Sequence, residues 1–557
     1  MKSYASFKAY TEGYIFFQPF NKTKDILIIV HVFKSTNANL IVPFFLTINH
    51  FIMNSTLKST LKLVGMALML TTILLTNACR NSVDISNYDV NLIALTDDNN
   101  LISVNSDFPS QITSKVAITG LMASEKMLGI DFRPATGQLY GVGSSSRLYV
   151  INPTTGAARA IGTAAFTPAI NGSIVGFDFN PTVDRIRLVT NTGQNLRLNP
   201  ETGTVAATDG NLNPGTPSVS EVAYTNNTAG ATTTTLYAID VNTDKLYIQN
   251  PPNNGTLVEV GALGVDAQGA TGFDITSNGF GFAALRVAGK SELYVVNLTT
   301  GRVLKLGSFD FGANVIGLSV STNPVAYAVD NANNLIIFNP YAPLSPISKP
   351  IMGLQSGENV LGLDMRPVNG QLYALGSTSR LYTINASSGA AMVVGTAPFT
   401  PALSGTQFGF DFNPTVDRIR IVSNTGQNLR AHPETGAIAA VDGNINPGTP
   451  SVSAAAYTNN FAGATTTTLY VMDVLKSKLY IQTPPNNGTL VEVGNLSGTF
   501  VEGNGFDIGG TSGKAFVLLN DEGFAKLFQV NLQNAQLNAG LPITISGVRG
   551  FTLGLGF

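Results

Sequence analysis

The 557-residue chain is only 12% charged, with a formal net charge of −2, one cysteine, three histidines and no tryptophan. That balance, with no basic patch, excludes electrostatic capture of nucleic acid. A lone cysteine excludes an intrachain disulfide and a thiolate metal cage. Glycine, threonine, asparagine and proline are abundant and apolar runs are short, a composition that predicts many strands joined by tight turns.

Residues 1–52 hold His31, His50 and aromatic-rich apolar patches such as Tyr14-Ile-Phe-Phe17. They fit no targeting pattern and read as a gene-model extension or a disordered leader ahead of a true start at Met53. Residues 53–79 have the layout of a signal peptide: a basic segment to Lys62, a charge-free apolar run from Leu63 to Leu75, then Thr76-Asn-Ala-Cys79. Cys79 stands where a bacterial lipobox places its lipid-carrying cysteine, although Thr76 replaces the usual leucine. The expectation is a lipid-anchored envelope protein, at the outer membrane or cell surface; ordinary secretion is the alternative. The apolar run is short against the roughly 20 residues a membrane helix needs.

The body is one module written twice. Gly176-Phe-Asp-Phe-Asn-Pro-Thr-Val-Asp-Arg-Ile-Arg187 returns letter for letter from Gly409 to Arg420, an offset of 233 residues. The same offset carries Asn191-Thr-Gly-Gln-Asn-Leu-Arg197 onto Asn424 to Arg430, and Pro251 to Gly261 onto Pro484 to Gly494. This gives copies at 88–322 and 323–557.

A shorter unit recurs inside each copy. Its clearest form is Leu128-Gly-Ile-Asp-Phe-Arg-Pro134, Gln138-Leu-Tyr-Gly-Val-Gly143, Arg147-Leu-Tyr-Val-Ile-Asn152 and Ala157-Ala-Arg-Ala-Ile-Gly162, four short β-type runs. The last two are joined by Asn152-Pro-Thr-Thr-Gly156, with equivalents at Asn199, Asn297, Asn385 and His432. Asn caps such a turn, Pro presets its first corner and Gly closes it in the left-handed region. First-strand markers fall at Asp131, Asp178, Tyr224, Asp274, Ser319 and Asp364, steps of 45 to 50 residues. A four-stranded unit at that period predicts β-propeller blades. The fold expected is therefore all-β, with two five-bladed rings of four-stranded blades; the alternative is one ten-bladed ring. The chain opens on a second strand, Asn91 to Leu95, and ends on a first strand, Gly550 to Phe557, the arrangement that closes a ring.

The Gly-Phe-Asp-Phe-Asn-Pro, Asp-Arg-Ile-Arg and Asn-Thr-Gly-Gln-Asn-Leu-Arg motifs resemble the bacterial family called domain of unknown function DUF4394, in two tandem copies over nearly all of 88–557. The resemblance implies a secreted or surface β-propeller. It brings no activity and no functional residue.

Three groups could form sites. Asp131, Asp178, Asp274, Asp364, Asp411 and Asp507 recur at one strand position; a ring of such carboxylates could hold Ca²⁺, with Asp178 and Asp411 the metal candidates. The bland alternative is that each aspartate satisfies backbone N–H groups at the start of a turn. Asp184, Arg185, Arg187, Asn191 and Gln194, with twins Asp417, Arg418, Arg420, Asn424 and Gln427, occur in one blade per copy and read as a polar ligand patch, or as an Asp–Arg pair locking a blade. Asp209 to Pro217 and Asp442 to Pro450 are the longest polar loops, with a spacing unlike an EF-hand. Of the histidines, only His432 lies in the body, in a turn, so no His-based catalytic set is expected and no catalytic residue is assigned. The expected function is a binding or scaffolding module for a protein or a glycan at the cell surface, with no nucleic-acid partner. The alternative is a divalent-cation-dependent hydrolase or lyase using the axial carboxylates. A purely structural surface protein is a third reading.

Overall fold

A computed structural model describes residues 88–498, 500, 502–521 and 524–557. The leader, with Cys79, lies outside the described residues. The described chain is all-β: ten four-stranded antiparallel sheets, with two single-turn 3-10 helices at Pro252–Asn254 and Pro485–Asn487. No helix among the described residues is long and apolar enough to cross a membrane.

The turn chemistry is as expected. Asn152 Oδ1 accepts the N–H groups of Thr154 and Thr155, at 2.9 and 3.0 Å. Gly156 closes the turn with φ +74°. His432 takes the same post in the second copy, its Nδ1 accepting the Glu434 N–H at 3.2 Å, where Asn199 Oδ1 accepts that of Glu201 at 2.8 Å.

Burial falls across each sheet. The first strand is buried on both faces, as in Val175–Asn180, whereas the fourth alternates with solvent, as in Thr204–Thr208. The core therefore lies between sheets rather than within one. Tyr140, Val142 and Leu148 of one sheet pack on Phe177, Phe179 and Leu188 of the next. Tyr140 meets Phe179 edge-on at 5.2 Å, and Tyr373 meets Phe412 likewise at 5.1 Å. Sheets approach closely enough that a Cβ on Gly176 would lie 2.9 Å from the Val222 nitrogen.

In the first copy the first strands pack in order: Met127–Arg133 on Val175–Asn180, then Val219–Tyr224, Gly272–Ile275 and Val315–Val320, which packs on Met127–Arg133. The second copy repeats this from Val360–Arg366 to Gly550–Leu553. Val315–Val320 pairs with Asn91–Thr96, and Gly550–Leu553 pairs with Ala326–Val329, so in each copy the last strand pairs with the opening one.

The two copies belong to one compact unit, residues 86–557. Tyr327 donates its hydroxyl to the Ala135 carbonyl at 2.8 Å, and the Gly556 N–H donates to Thr136 O at 2.8 Å. Ala135, Tyr327, Leu363, Met365 and Leu555 share one apolar cluster.

Candidate functional site

Three aspartates converge in each copy. Carboxylate oxygens of Asp131, Asp178 and Asp274 lie within 4.8 Å of one another, as do those of Asp364, Asp411 and Asp507. All six are buried. They sit within strands, not at turn starts, and their bonds cross between sheets. Asp131 Oδ2 accepts the Phe179 N–H at 2.9 Å, Asp178 Oδ1 that of Tyr224 at 3.0 Å, and Asp274 Oδ2 that of Val320 at 2.6 Å. These bonds correct the register read from the sequence. The Tyr224 N–H donates to the preceding aspartate as those of Phe179 and Val320 do, so the position equivalent to aspartate is Ala223, and Ser319 fills the fifth place.

The Ser319 hydroxyl donates to Asp131 Oδ1 at 3.0 Å, and Thr552 donates to both Asp364 and Asp507 at 3.0 Å. Burial pushes the Asp131 and Asp178 carboxyls well above the usual carboxylate range, and the neighbouring charges of Asp274 and Asp131 respectively add to it. Burial raises Asp274 to about 7 and Asp507 to about 6. Three such carboxylates cannot all be charged without a proton or a cation between them. Their spacing suits Ca²⁺, whose oxygen ligands lie about 2.3–2.6 Å from the ion.

The Arg, Asn and Gln side chains repeated in the two copies do not converge on an open patch. Asp184 is held by Arg133 of the preceding sheet, not by Arg187. Arg133 Nε donates to Asp184 Oδ1 at 2.8 Å, Nη2 donates to Asp184 Oδ2, and Nη2 also reaches Glu201 at 2.8 Å. Arg187 is buried and donates to Asn195 and Asp209, both at 2.7 Å, and to Asn253 at 2.8 Å. Arg420 repeats this with Asn428, Asp442 and Asn486. Arg185 and Arg418 donate to the carbonyls of Asp184 and Asp417.

Asn191 Oδ1 accepts from Ser173 and Ile174, and Gln194 spans Asn171 N and Ala169 O, bracing the loop before Val175–Asn180. Asn424 and Gln427 do the same at Thr406, Gln407, Ser404 and Ala402. The polar loop from Asp209 has its only carboxylate gripped by two arginines, since Arg197 also donates to Asp209 at 2.8 and 2.9 Å. Burial opposes charge on Asp209, but those arginine bonds hold its carboxyl below the usual range.

Sequence reading missed Arg133 and Arg366, whose only signal was the Arg-Pro pair that ends the first strand in each copy. It also missed Glu221, a buried carboxylate that accepts the Phe177 N–H at 2.8 Å and has Ala454 as its counterpart.

Comparison with family models places the chain. Residues 100–319 and 334–551 each match the domain of unknown function DUF4394, and the protein belongs to that family, in two tandem copies. A comparison with curated proteins found no match. Among solved structures, the chain is similar to the extracellular domain of a hybrid two component system from B. thetaiotaomicron, at 15% identity and a TM-score of 0.22, covering 81% of this chain and 58% of that one. It is also similar to a dihydro-heme d1 dehydrogenase in complex with DHE, at 8% identity and a TM-score of 0.23, covering 84% of this chain and 76% of that one. Neither likeness is close enough to bear on function.

Proposed function

We propose that each copy is a five-bladed β-propeller and that the protein is a lipid-anchored envelope module that binds or scaffolds a protein or glycan. The ring reading rests on the packing order of first strands, which returns to its start after five sheets in each copy. The functional reading rests on one observation: the charged and amide side chains singled out as a ligand patch are all engaged in bonds within the chain. What remains for a partner is the loop surface, where Phe461, Leu475 and Met352 are exposed.

The test is affinity capture from envelope extract and a glycan array, with heat-unfolded protein as the control. A partner recovered only by folded protein, and kept by the Arg187→Ala plus Arg420→Ala variant if that variant folds, supports the reading. Loss of that partner with folding intact would restore the arginine patch as the contact.

The convergence of the axial aspartates favours a second reading, a divalent cation at each axis. With the six aspartates 1–2% exposed, such an ion would brace the ring rather than meet a substrate, which weakens the hydrolase alternative. Elemental analysis of protein from metal-replete medium decides it. About one Ca²⁺ per copy, lost in Asp178→Asn and Asp411→Asn, supports the cation; metal-free protein of full stability removes it.

A further inference from the structure

The geometry points to a binding site for a neutral aromatic alcohol of the phenol type, in the cavity of about 510 Å³ where the two copies meet. That volume lies in the range of pockets that bury small ligands, roughly 300–1,000 Å³. The first copy supplies an apolar wall of Ile93, Phe132, Leu139 and Ile151, and Phe461 and Leu555 line the cavity from the second copy.

The repeat shows what this wall corresponds to. Ile93 pairs with Ser319 across its ladder as Tyr327 pairs with Thr552, so Tyr327 is the counterpart of Ile93. At the 233-residue offset, Phe132, Leu139 and Ile151 correspond to Met365, Leu372 and Ile384. Those four residues of the second copy lie in one apolar cluster, which the first copy completes with Ala135 and the partly buried Ala229. The neighbouring Gly230 fits so closely that a Cβ there would lie 2.7 Å from the Ile337 Cδ1.

The matching cluster of the first copy holds Ile93, Phe132, Leu139 and Ile151 but, among the described residues, none from the second copy. Gly463, the counterpart of Gly230, is exposed, and a Cβ there would meet nothing within 4 Å. The same apolar face is thus closed by protein in one copy and turned to a cavity in the other. Accordingly, Tyr327 and Met365 are 0% exposed, whereas Ile93 and Phe132 are 8% and 5% exposed.

Tyr327 indicates the chemistry that fits. Its ring packs in the cluster and its hydroxyl donates to the Ala135 carbonyl at 2.8 Å. Ile93 brings neither ring nor hydroxyl to the first copy. Leu555, which packs in the second copy's cluster, has Thr322 as its counterpart on the cavity wall, and the Thr322 hydroxyl is buried with no hydrogen-bond partner. A buried hydroxyl left unpaired is costly, and a ligand hydroxyl would relieve that cost. An aromatic body gains from contact with Phe132 and Phe461 beyond the area it buries. No acidic residue lines the cavity, and Arg159 at its margin pairs with Val150, which packs on the opposite face of the sheet. The wall therefore suits a neutral molecule.

The site lies apart from the partner-binding reading above and stands or falls separately. Calorimetric titration of the purified protein with phenol, 4-ethylphenol and 2-naphthol, and with cyclohexanol as the ring-saturated comparison, tests it. The expected result is saturable binding of at least one phenol at one site per chain, with cyclohexanol weaker. Ile93→Tyr, which installs the residue found at the matching place in the second copy, fills the cavity and abolishes that binding. Thr322→Leu, also the second copy's residue, weakens it by about three- to tenfold, the loss of one hydrogen bond. Absence of saturable binding by all three phenols, or equal binding of cyclohexanol, overturns the site. So does full affinity in a folded Ile93→Tyr protein or, should that variant not fold, in Thr322→Leu.

Discussion

Removing Arg133 and removing Arg366 should have unequal effects, although the two residues hold equivalent places 233 positions apart. Both clamp an aspartate with two N–H groups and touch a glutamate. The surroundings differ. The side chains of Arg133, Asp184 and Glu201 are 0%, 1% and 9% exposed, whereas those of Arg366, Asp417 and Glu434 are 8%, 27% and 67% exposed. The reason is the second copy: Arg133 Nη1 donates to the Gly370 carbonyl at 3.2 Å, so the turn at Gly370 covers the first clamp. Arg133→Ala strands two buried carboxylates, and breaking a buried pair from one side costs about 3–5 kcal/mol. Arg366→Ala leaves its carboxylates with access to water, so about 1–2 kcal/mol is expected, after discounting the exposed Glu434 contact. Urea unfolding followed by tyrosine emission, in a chain free of tryptophan, measures both. Arg133→Met with Asp184→Asn and Glu201→Gln should recover part of the loss, because no buried charge remains. Equal costs at the two sites, or a cost under about 1 kcal/mol at Arg133, would refute the argument that docking of the copies buries the first clamp.

Stability should rise on acidification from neutral pH toward about 4, the ordinary aspartate value. Asp274 and Asp507 have folded-state values raised to about 7 and about 6, so the folded chain binds protons there that the unfolded chain does not. That contribution is complete below the unfolded value and is lost as pH rises through the folded one. Thermal melts in chelator across this window check the sign, and Asp274→Asn should flatten the profile. Below about 4 the trend should reverse, as Asp209, held below the usual range, takes up a proton. Arg187→Ala and Arg420→Ala should each destabilise by about 3–5 kcal/mol and by similar amounts, since both arginines are 1–2% exposed and keep matching partners; chemical denaturation of the single variants reads this directly. His432→Asn should change stability by no more than about 0.5 kcal/mol, because Asn199 caps the equivalent turn through the same kind of acceptor.

The repeat, the strands and the hairpin turns were legible because they depend on residues close in sequence. Asn152 and Gly156 act on each other across four positions, and the same letters recur wherever the turn does. The recurrence of aspartate likewise pointed to a shared post. What that post does was not legible, because each carboxylate serves the backbone of the next sheet, 46 to 48 residues away. The one-residue slip at Tyr224 has the same origin: Ala223 carries no signal of its own, and only the bond from Asp178 reveals the register. Asp184 and Arg187 invited pairing with each other by proximity in sequence. Their real partners are Arg133, which sheet stacking brings in from the preceding sheet, and Asp209, which follows the fourth strand of Arg187's own sheet.

The pairing of last strand with first in each copy has a bearing on synthesis at the ribosome. The first copy has every strand it needs once Val315–Val320 has emerged, because that strand pairs with Asn91–Thr96. It can fold while the second copy is still being made. The second copy opens with Ala326–Val329, whose pairing partner Gly550–Leu553 comes more than 200 residues later. Its sheet edge stays bare through nearly the whole of its translation, and bare edges recruit other strands. The nearest competitor is the matching strand of the copy already folded, and that strand is occupied. Early completion of the first copy thus protects the second from a swapped strand, a hazard that repeat-related neighbours otherwise share.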